Sequence, residues 1–123
     1  MNKKILLVDD DPIVVKIIMK LLVNNNYDID LAKDGLDALV MIKENPPDLV
    51  ILDVMMPEVN GYDVCYQLRF NDDYKKVPII LLTVRDRELV GDISERVDIE
   101  YIQKPIDIKV MSEKIELLLS KTE

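Results

Sequence analysis

At 123 residues the chain has the size of one ordinary domain, long enough to bury roughly two-thirds of its unfolded surface. A formal charge of −8 with no basic run argues against direct nucleic-acid binding, and a single cysteine, Cys65, excludes an internal disulfide. The absence of histidine removes histidine triads, histidine zinc sites and an internal phosphohistidine donor. No apolar stretch approaches the roughly 18 residues of a membrane-crossing helix, and no signal-peptide pattern opens the chain, so a cytoplasmic home away from membranes is expected.

The first element is a strand at residues 5–8, an unbroken aliphatic run ending in Asp9, Asp10 and Asp11. Such a short run reads as a strand buried on both faces. Pro12 stands at the natural first position of a helix, with Asp11 as its cap. Ile13, Val14, Ile17, Ile18, Leu21 and Leu22 then recur at helical spacing until Asn24, Asn25 and Asn26 stop the helix. Ile29 and Leu31 alternate with polar residues and predict a more exposed strand. Asp34 caps a second helix, with Leu36, Leu39, Val40 and Ile42 among its apolar positions, and Asn45, Pro46 and Pro47 close it.

Residues 49–54 form the central strand, aliphatic except for Asp53 near its C-terminal end. An ionised, dry carboxylate there would cost several kcal/mol, so Asp53 must be exposed at the sheet edge or hold a charged partner. Asn60 caps a third helix that starts at Gly61 and carries Val64, Cys65 and Leu68, the cysteine as a packing residue. A polar loop over residues 71–76 leads to a fourth strand at 78–83, ending in Thr83. Residues 85–96 are weakly helical, with Gly91 costing about 1 kcal/mol against Ala. Residues 101–103 form a short fifth strand that ends at Lys104 and Pro105. Asp107 caps a last helix with Ile108, Met111, Ile115, Leu118 and Leu119 inward.

Strands and helices thus alternate five times with no linker or repeat. Right-handed crossovers of this kind predict an α/β fold: a doubly wound five-stranded parallel sheet with helices on both faces, flavodoxin-like, in one domain over residues 1–123. In such a sheet, ligands bind outside the carboxyl ends of the strands. Asp9, Asp10, Asp53, Thr83 and Lys104 all stand at strand ends and would converge there. Carboxylates sharing a pocket repel one another, and a divalent cation with oxygen ligands, magnesium or manganese, relieves that repulsion. Metal, lysine and hydroxyl together suit a phosphoryl group, with Asp53 as the carboxylate nucleophile that accepts it.

The segments LVDDDP (residues 7–12), LDVMMP (52–57) followed by Gly61, Leu82 with Thr83, and YIQKP (101–105) occur in order along nearly the whole chain. Together they resemble the receiver domain of two-component response regulators. The resemblance implies a phosphorelay switch: a partner histidine kinase or phosphotransfer protein loads Asp53, and a changed binding face is read by a downstream target or output domain. It implies metal ligation by Asp10, Asp53 and the backbone carbonyl of Met55, with Asp9 nearby. It also implies phosphoryl contacts from Thr83 and Lys104, a switch role for Tyr101 coupled to Thr83, and a cis bond before Pro105. The chain departs from the family at Val84, where Ala or Gly is usual, and at Val97 and Asp98, which replace a Gly-Ala pair.

Two other functions compete. A degenerate receiver would dock a partner without phosphorylation. A magnesium-dependent phosphohydrolase of the haloacid-dehalogenase type needs a second acid two residues after its nucleophile, and here that residue is Met55. The expected protein is therefore a phosphoacceptor that acts only on its own phosphorylation state, not an enzyme. A flavin or nucleotide binder would want a glycine-rich or Ser/Thr-rich loop after the first strand, which is missing.

Overall fold

The computed structural model describes residues 2–55, 61–84 and 99–120. Five strands, β1 (Lys4–Val8), β2 (Asp28–Ala32), β3 (Leu49–Asp53), β4 (Ile79–Thr83) and β5 (Ile99–Gln103), form one parallel sheet in the order β2-β1-β3-β4-β5. The described helices are α1 (Pro12–Asn24), α2 (Gly35–Glu44), α3 (Gly61–Arg69) and α4 (Ile108–Ser120). The order reverses direction at β1, whose two neighbours are β2 and β3. That reversal is where the carboxyl ends of adjacent strands open into a crevice. The sequence expectation of a doubly wound parallel sheet is met.

Successive strand residues point to opposite faces, and the two faces are covered by different helices. Leu6 and Val8 of β1, Val50 and Leu52 of β3, and Ile79 and Leu81 of β4 pack with Ala38 and Ile42 of α2 and Val64, Cys65 and Leu68 of α3. Ile5 and Leu7, Leu49 and Ile51, and Ile80 and Leu82 pack on the other side with Ile18 and Leu22 of α1 and Met111, Ile115 and Leu118 of α4. β1, β3 and β4 are therefore buried on both faces, which is why they read as unbroken aliphatic runs rather than as alternating ones. Each such Leu or Ile contributes roughly 1.5–3 kcal/mol by leaving water, so the strand ends sit on a rigid platform.

The caps follow the sequence. Asp11 accepts a hydrogen bond from Ile13 N at 2.9 Å, Asp34 from Asp37 N at 2.8 Å, and Asp107 from Lys109 N at 2.9 Å. α1 ends at Asn24, and Asn26 takes a positive φ of 62° in the turn that follows. β2 is an edge strand and more exposed than β1, β3 and β4, as expected, with Leu31 itself open to solvent. Among the described residues, no helix is long and apolar enough to cross a membrane.

Two local expectations are corrected. β5 starts at Ile99, two residues earlier than the expected Tyr101, because Ile99 and Glu100 pair with Ile79 and Ile80 of β4. Ile108 is exposed rather than inward, since it begins α4 beyond the sheet. Of the apolar positions of α1 and α2, Ile13, Ile17, Leu36 and Val40 face outward, because a helix lying on a sheet buries only one stripe. The expected cap Asn60, the weak helix over residues 85–96, and the atypical Val97 and Asp98 lie outside the described residues.

Candidate functional site

The site begins with parity and register. β1 and β3 are hydrogen-bonded neighbours with Val8 opposite Leu52, so Asp9 and Asp53 leave the sheet side by side. Asp9 continues the face of Ile5 and Leu7, and Asp53 that of Leu49 and Ile51, the face covered by α1 and α4. Both carboxylates are buried, whereas Asp10, one step on, is exposed. One oxygen from each of Asp9, Asp10 and Asp53 lies within 4.8 Å of the other two.

Lys104 enters from the end of β5. Its backbone N–H donates to Thr83 O at 2.7 Å, and the Lys104–Pro105 peptide bond is cis, as the resemblance implied. Its ammonium stands 3.4 Å from Asp53 Oδ1 and 3.3 Å from Asp9 Oδ2. The charged partner that Asp53 needs is thus present. The pairing of Lys104 with Asp9 was not anticipated from sequence, because nothing local to either segment encodes it.

The remaining bonds hold the two buried carboxylates in place. Asp53 Oδ1 accepts from Met55 N at 3.2 Å, and Asp9 Oδ1 from Asp11 N at 2.8 Å. Asp9 Oδ2 is buried and, despite the nearby ammonium, has no aligned hydrogen-bond donor. Burial raises the proton affinity of Asp53, and the charge of Asp9 raises it further; the Met55 N–H and Lys104 pull it down without offsetting the rise. Burial acts against the charge on Lys104, but Asp53 and Asp9 together outweigh it and hold the ammonium above the usual lysine value. An under-bonded buried carboxylate oxygen beside two more carboxylates is a donor set that fits a hard divalent cation.

Thr83 is buried at the end of β4, where its neighbour Leu82 pairs with Asp53. By strand parity it falls on the side of Ile79 and Leu81, the face covered by α2 and α3. Tyr101, paired with Leu81, is half-buried and packs against that same cluster. Thr83 and Tyr101 therefore share a face of adjacent strands. Met55 and Val84, 59% and 60% exposed, stand just past the ends of β3 and β4 and leave apolar side chains open to solvent there.

Known proteins share this sequence pattern and this fold. The family model described as "Response regulator receiver domain" matches residues 5–116. Response regulator MprA of Mycobacterium sp. (strain KMS) is 40% identical over 124 residues, covering 99% of this chain and 53% of that protein. MprA of Mycobacterium tuberculosis (strain ATCC 25177 / H37Ra) is likewise 40% identical, with the same coverage. The chain thus spans about half the length of the curated relatives it matches. Among solved structures, the signal receiver domain of a signal transduction histidine kinase from Syntrophus aciditrophicus superimposes with a TM-score of 0.89 at 31% identity, covering 98% of this chain and 92% of that one. The receiver domain of Francisella response regulator 1452 gives 0.85 at 30% identity, with 99% and 100% covered.

Proposed function

The chain belongs to the family of response regulator receiver domains, phosphoacceptor switches of two-component signalling, and from that membership we propose that Asp53 is its phosphoacceptor. The observation that carries this is the placement of Asp53: buried, beside Asp9 and Asp10, with the Lys104 ammonium 3.4 Å from its Oδ1. These 123 residues hold no histidine, so a phosphohistidine donor lies outside them, and a partner histidine kinase or phosphotransfer protein is the donor in this reading. An Asp53 carboxylate oxygen attacks phosphorus; the P–N bond breaks, and its electron pair returns to the partner's imidazole, which is then protonated. The product is an acyl phosphate on Asp53.

Asp9, Asp10, Asp53 and the Met55 carbonyl would hold magnesium or manganese, which when bound neutralises charge on the phosphoryl oxygens. Lys104 is positioned to follow a phosphoryl oxygen as the Asp53 charge is spent. The Thr83 hydroxyl would donate to another. A move of Thr83 toward the pocket frees space on the face it shares with Tyr101, and Tyr101 turning into that space changes the outer surface read by a target protein or output domain. In this reading the chain is one receiver domain, works in the cytoplasm, and catalyses only its own loading and unloading, without contacting nucleic acid or membrane itself.

The test is intact-mass spectrometry after incubation with acetyl phosphate and magnesium. A gain of one phosphoryl group by the native chain, abolished by chelator and by Asp53→Asn, is expected. Labelling that survives either would overturn the assignment, and a native chain that takes up no phosphate would favour a degenerate docking module.

A further inference from the structure

Gly61 opens α3 and is fully packed against the carboxyl end of β3. Its N–H donates to Val54 O at 3.1 Å. A Cβ at this position would lie 2.4 Å from Asp53 O, 2.9 Å from Val54 Cα and 3.0 Å from Asp53 C. All three are backbone atoms, so no flexible side chain can swing aside. Ordinary contact begins near 3.4 Å, which leaves the Asp53 carbonyl short by 3.4 − 2.4 = 1.0 Å. The requirement here is for space; no left-handed backbone is involved.

We infer that Gly61 is a positioning residue for phosphoryl transfer: its lack of a side chain lets α3 close on the Asp53–Val54 peptide and thereby sets where the Asp53 carboxylate stands. This rests on the reading of Asp53 as phosphoacceptor and deepens it. A Cβ at 61 forces one of two movements. Either α3 recedes, or the end of β3 shifts. α3 is held by Val64, Cys65 and Leu68, all buried in the core. Withdrawing three core side chains costs more than a small shift of the strand end, which loosens one terminal ladder bond, Val54 N to Leu82 O at 2.9 Å, and the polar contacts of the Asp53 carboxylate. The strand end therefore yields. Asp53 moves with its own carbonyl, and its Oδ1 leaves the 3.2 Å contact with Met55 N and the 3.4 Å contact with Lys104. Met55, the next residue but one, is carried along with its carbonyl.

The experiment compares the native chain with Gly61→Ala, using acetyl phosphate as donor and magnesium as the metal. Far-UV circular dichroism and a cooperative melt first establish that the variant is folded. The rate constant for phosphorylation at saturating donor and magnesium is then expected to fall about 10²-fold, the usual cost of a displacement near 1 Å. Half-saturation by donor should change little, since its outer contacts are untouched. Magnesium affinity, read by calorimetry without any donor, should weaken. A folded Gly61→Ala that loads at the native rate and binds magnesium normally would overturn the inference. So would a variant that cannot fold, because the strand end would then not be the part that gives way. A native chain that takes up no phosphate removes the Asp53 reading itself, and Gly61's role with it.

Discussion

The Lys104 ammonium reaches Asp53 Oδ1 at 3.4 Å across the end of β4, which lies between their two strands in the sheet. Neighbouring strands are about 4.8 Å apart, so only a long side chain spans that gap. The same ammonium is 3.3 Å from Asp9 Oδ2. One cation thus offsets two buried carboxylates, and it is the group freed to move when either changes charge.

Lys104→Ala should therefore act twice. Without metal it leaves Asp9 and Asp53 facing each other, and stability should fall by about 2 kcal/mol, below the 3–5 kcal/mol of a fully enclosed pair because protonation of one acid relieves it. Saturating magnesium should restore most of the loss. The phosphorylated variant should no longer show phosphorylation-dependent partner binding. Melting with and without chelator, and a pull-down of the loaded form, check both; a variant that still switches would remove Lys104 from the mechanism.

Asp53→Asn should stabilise the metal-free fold at neutral pH. The folded-state proton affinity of Asp53 is raised by burial and by Asp9, so its favourable contribution is fully present below the unfolded carboxylate value, about 3.9, and is lost as pH rises through the higher folded value. The asparagine never ionises. Its advantage should be absent near pH 3, grow through that window, and reach about 1 kcal/mol by pH 7, a size usual when a destabilised functional site is relaxed. Lys104 works in the opposite range: its raised affinity contributes stability that is lost only above the ordinary lysine value, as pH rises through the folded one. Urea midpoints of both chains across pH, in chelator, test this; a constant offset would contradict it.

Asp10 and Asp11 are adjacent but should separate cleanly. Asp11 caps α1 through Ile13 N at 2.9 Å, so Asp11→Ala should cost about 1 kcal/mol and leave magnesium affinity near native. Asp10 belongs to the carboxylate cluster and is exposed, so Asp10→Ala should weaken magnesium binding at least tenfold, on the order of 1.4 kcal/mol, at little cost to the fold. Calorimetric titration beside thermal melts decides; equal losses of affinity would mean the cluster is wrongly assigned.

Val84, 60% exposed, stands past the end of β4 beside Thr83, and Met55, 59% exposed, past the end of β3. Neither offers a carboxylate or amide to orient water, help that is worth about 10²-fold or more where it exists. Val84→Ala, by thinning this apolar rim, should shorten the life of the phosphoryl group and speed loading from acetyl phosphate. A phosphate-release time course at fixed magnesium measures this. Unchanged rates, or a longer-lived phosphoryl group in the variant, would show that the rim does not govern access.

Much of this protein is written locally. Aliphatic runs broken by single carboxylates specify strands buried on both faces, and Asp11, Asp34 and Asp107 mark helix starts through bonds no more than three residues long. Chemistry-bearing residues at strand ends can be read in the same way, because a parallel sheet gathers those ends on one edge. Local pattern is silent where the interaction is long-range. Strand order alone puts Asp9 beside Asp53, with Lys104 two strands from Asp53 and three from Asp9. Parity beyond the last ladder pair decides that Asp9 is buried and Asp10 exposed, a difference that two identical side chains in succession cannot carry. Pairing with β4 lengthens β5, and the packing of α3 on β3 turns Gly61 from a plausible helix start into a position with no room for a Cβ. Each depends on contacts between segments far apart in the chain, and such contacts exist only once the sheet has closed its register.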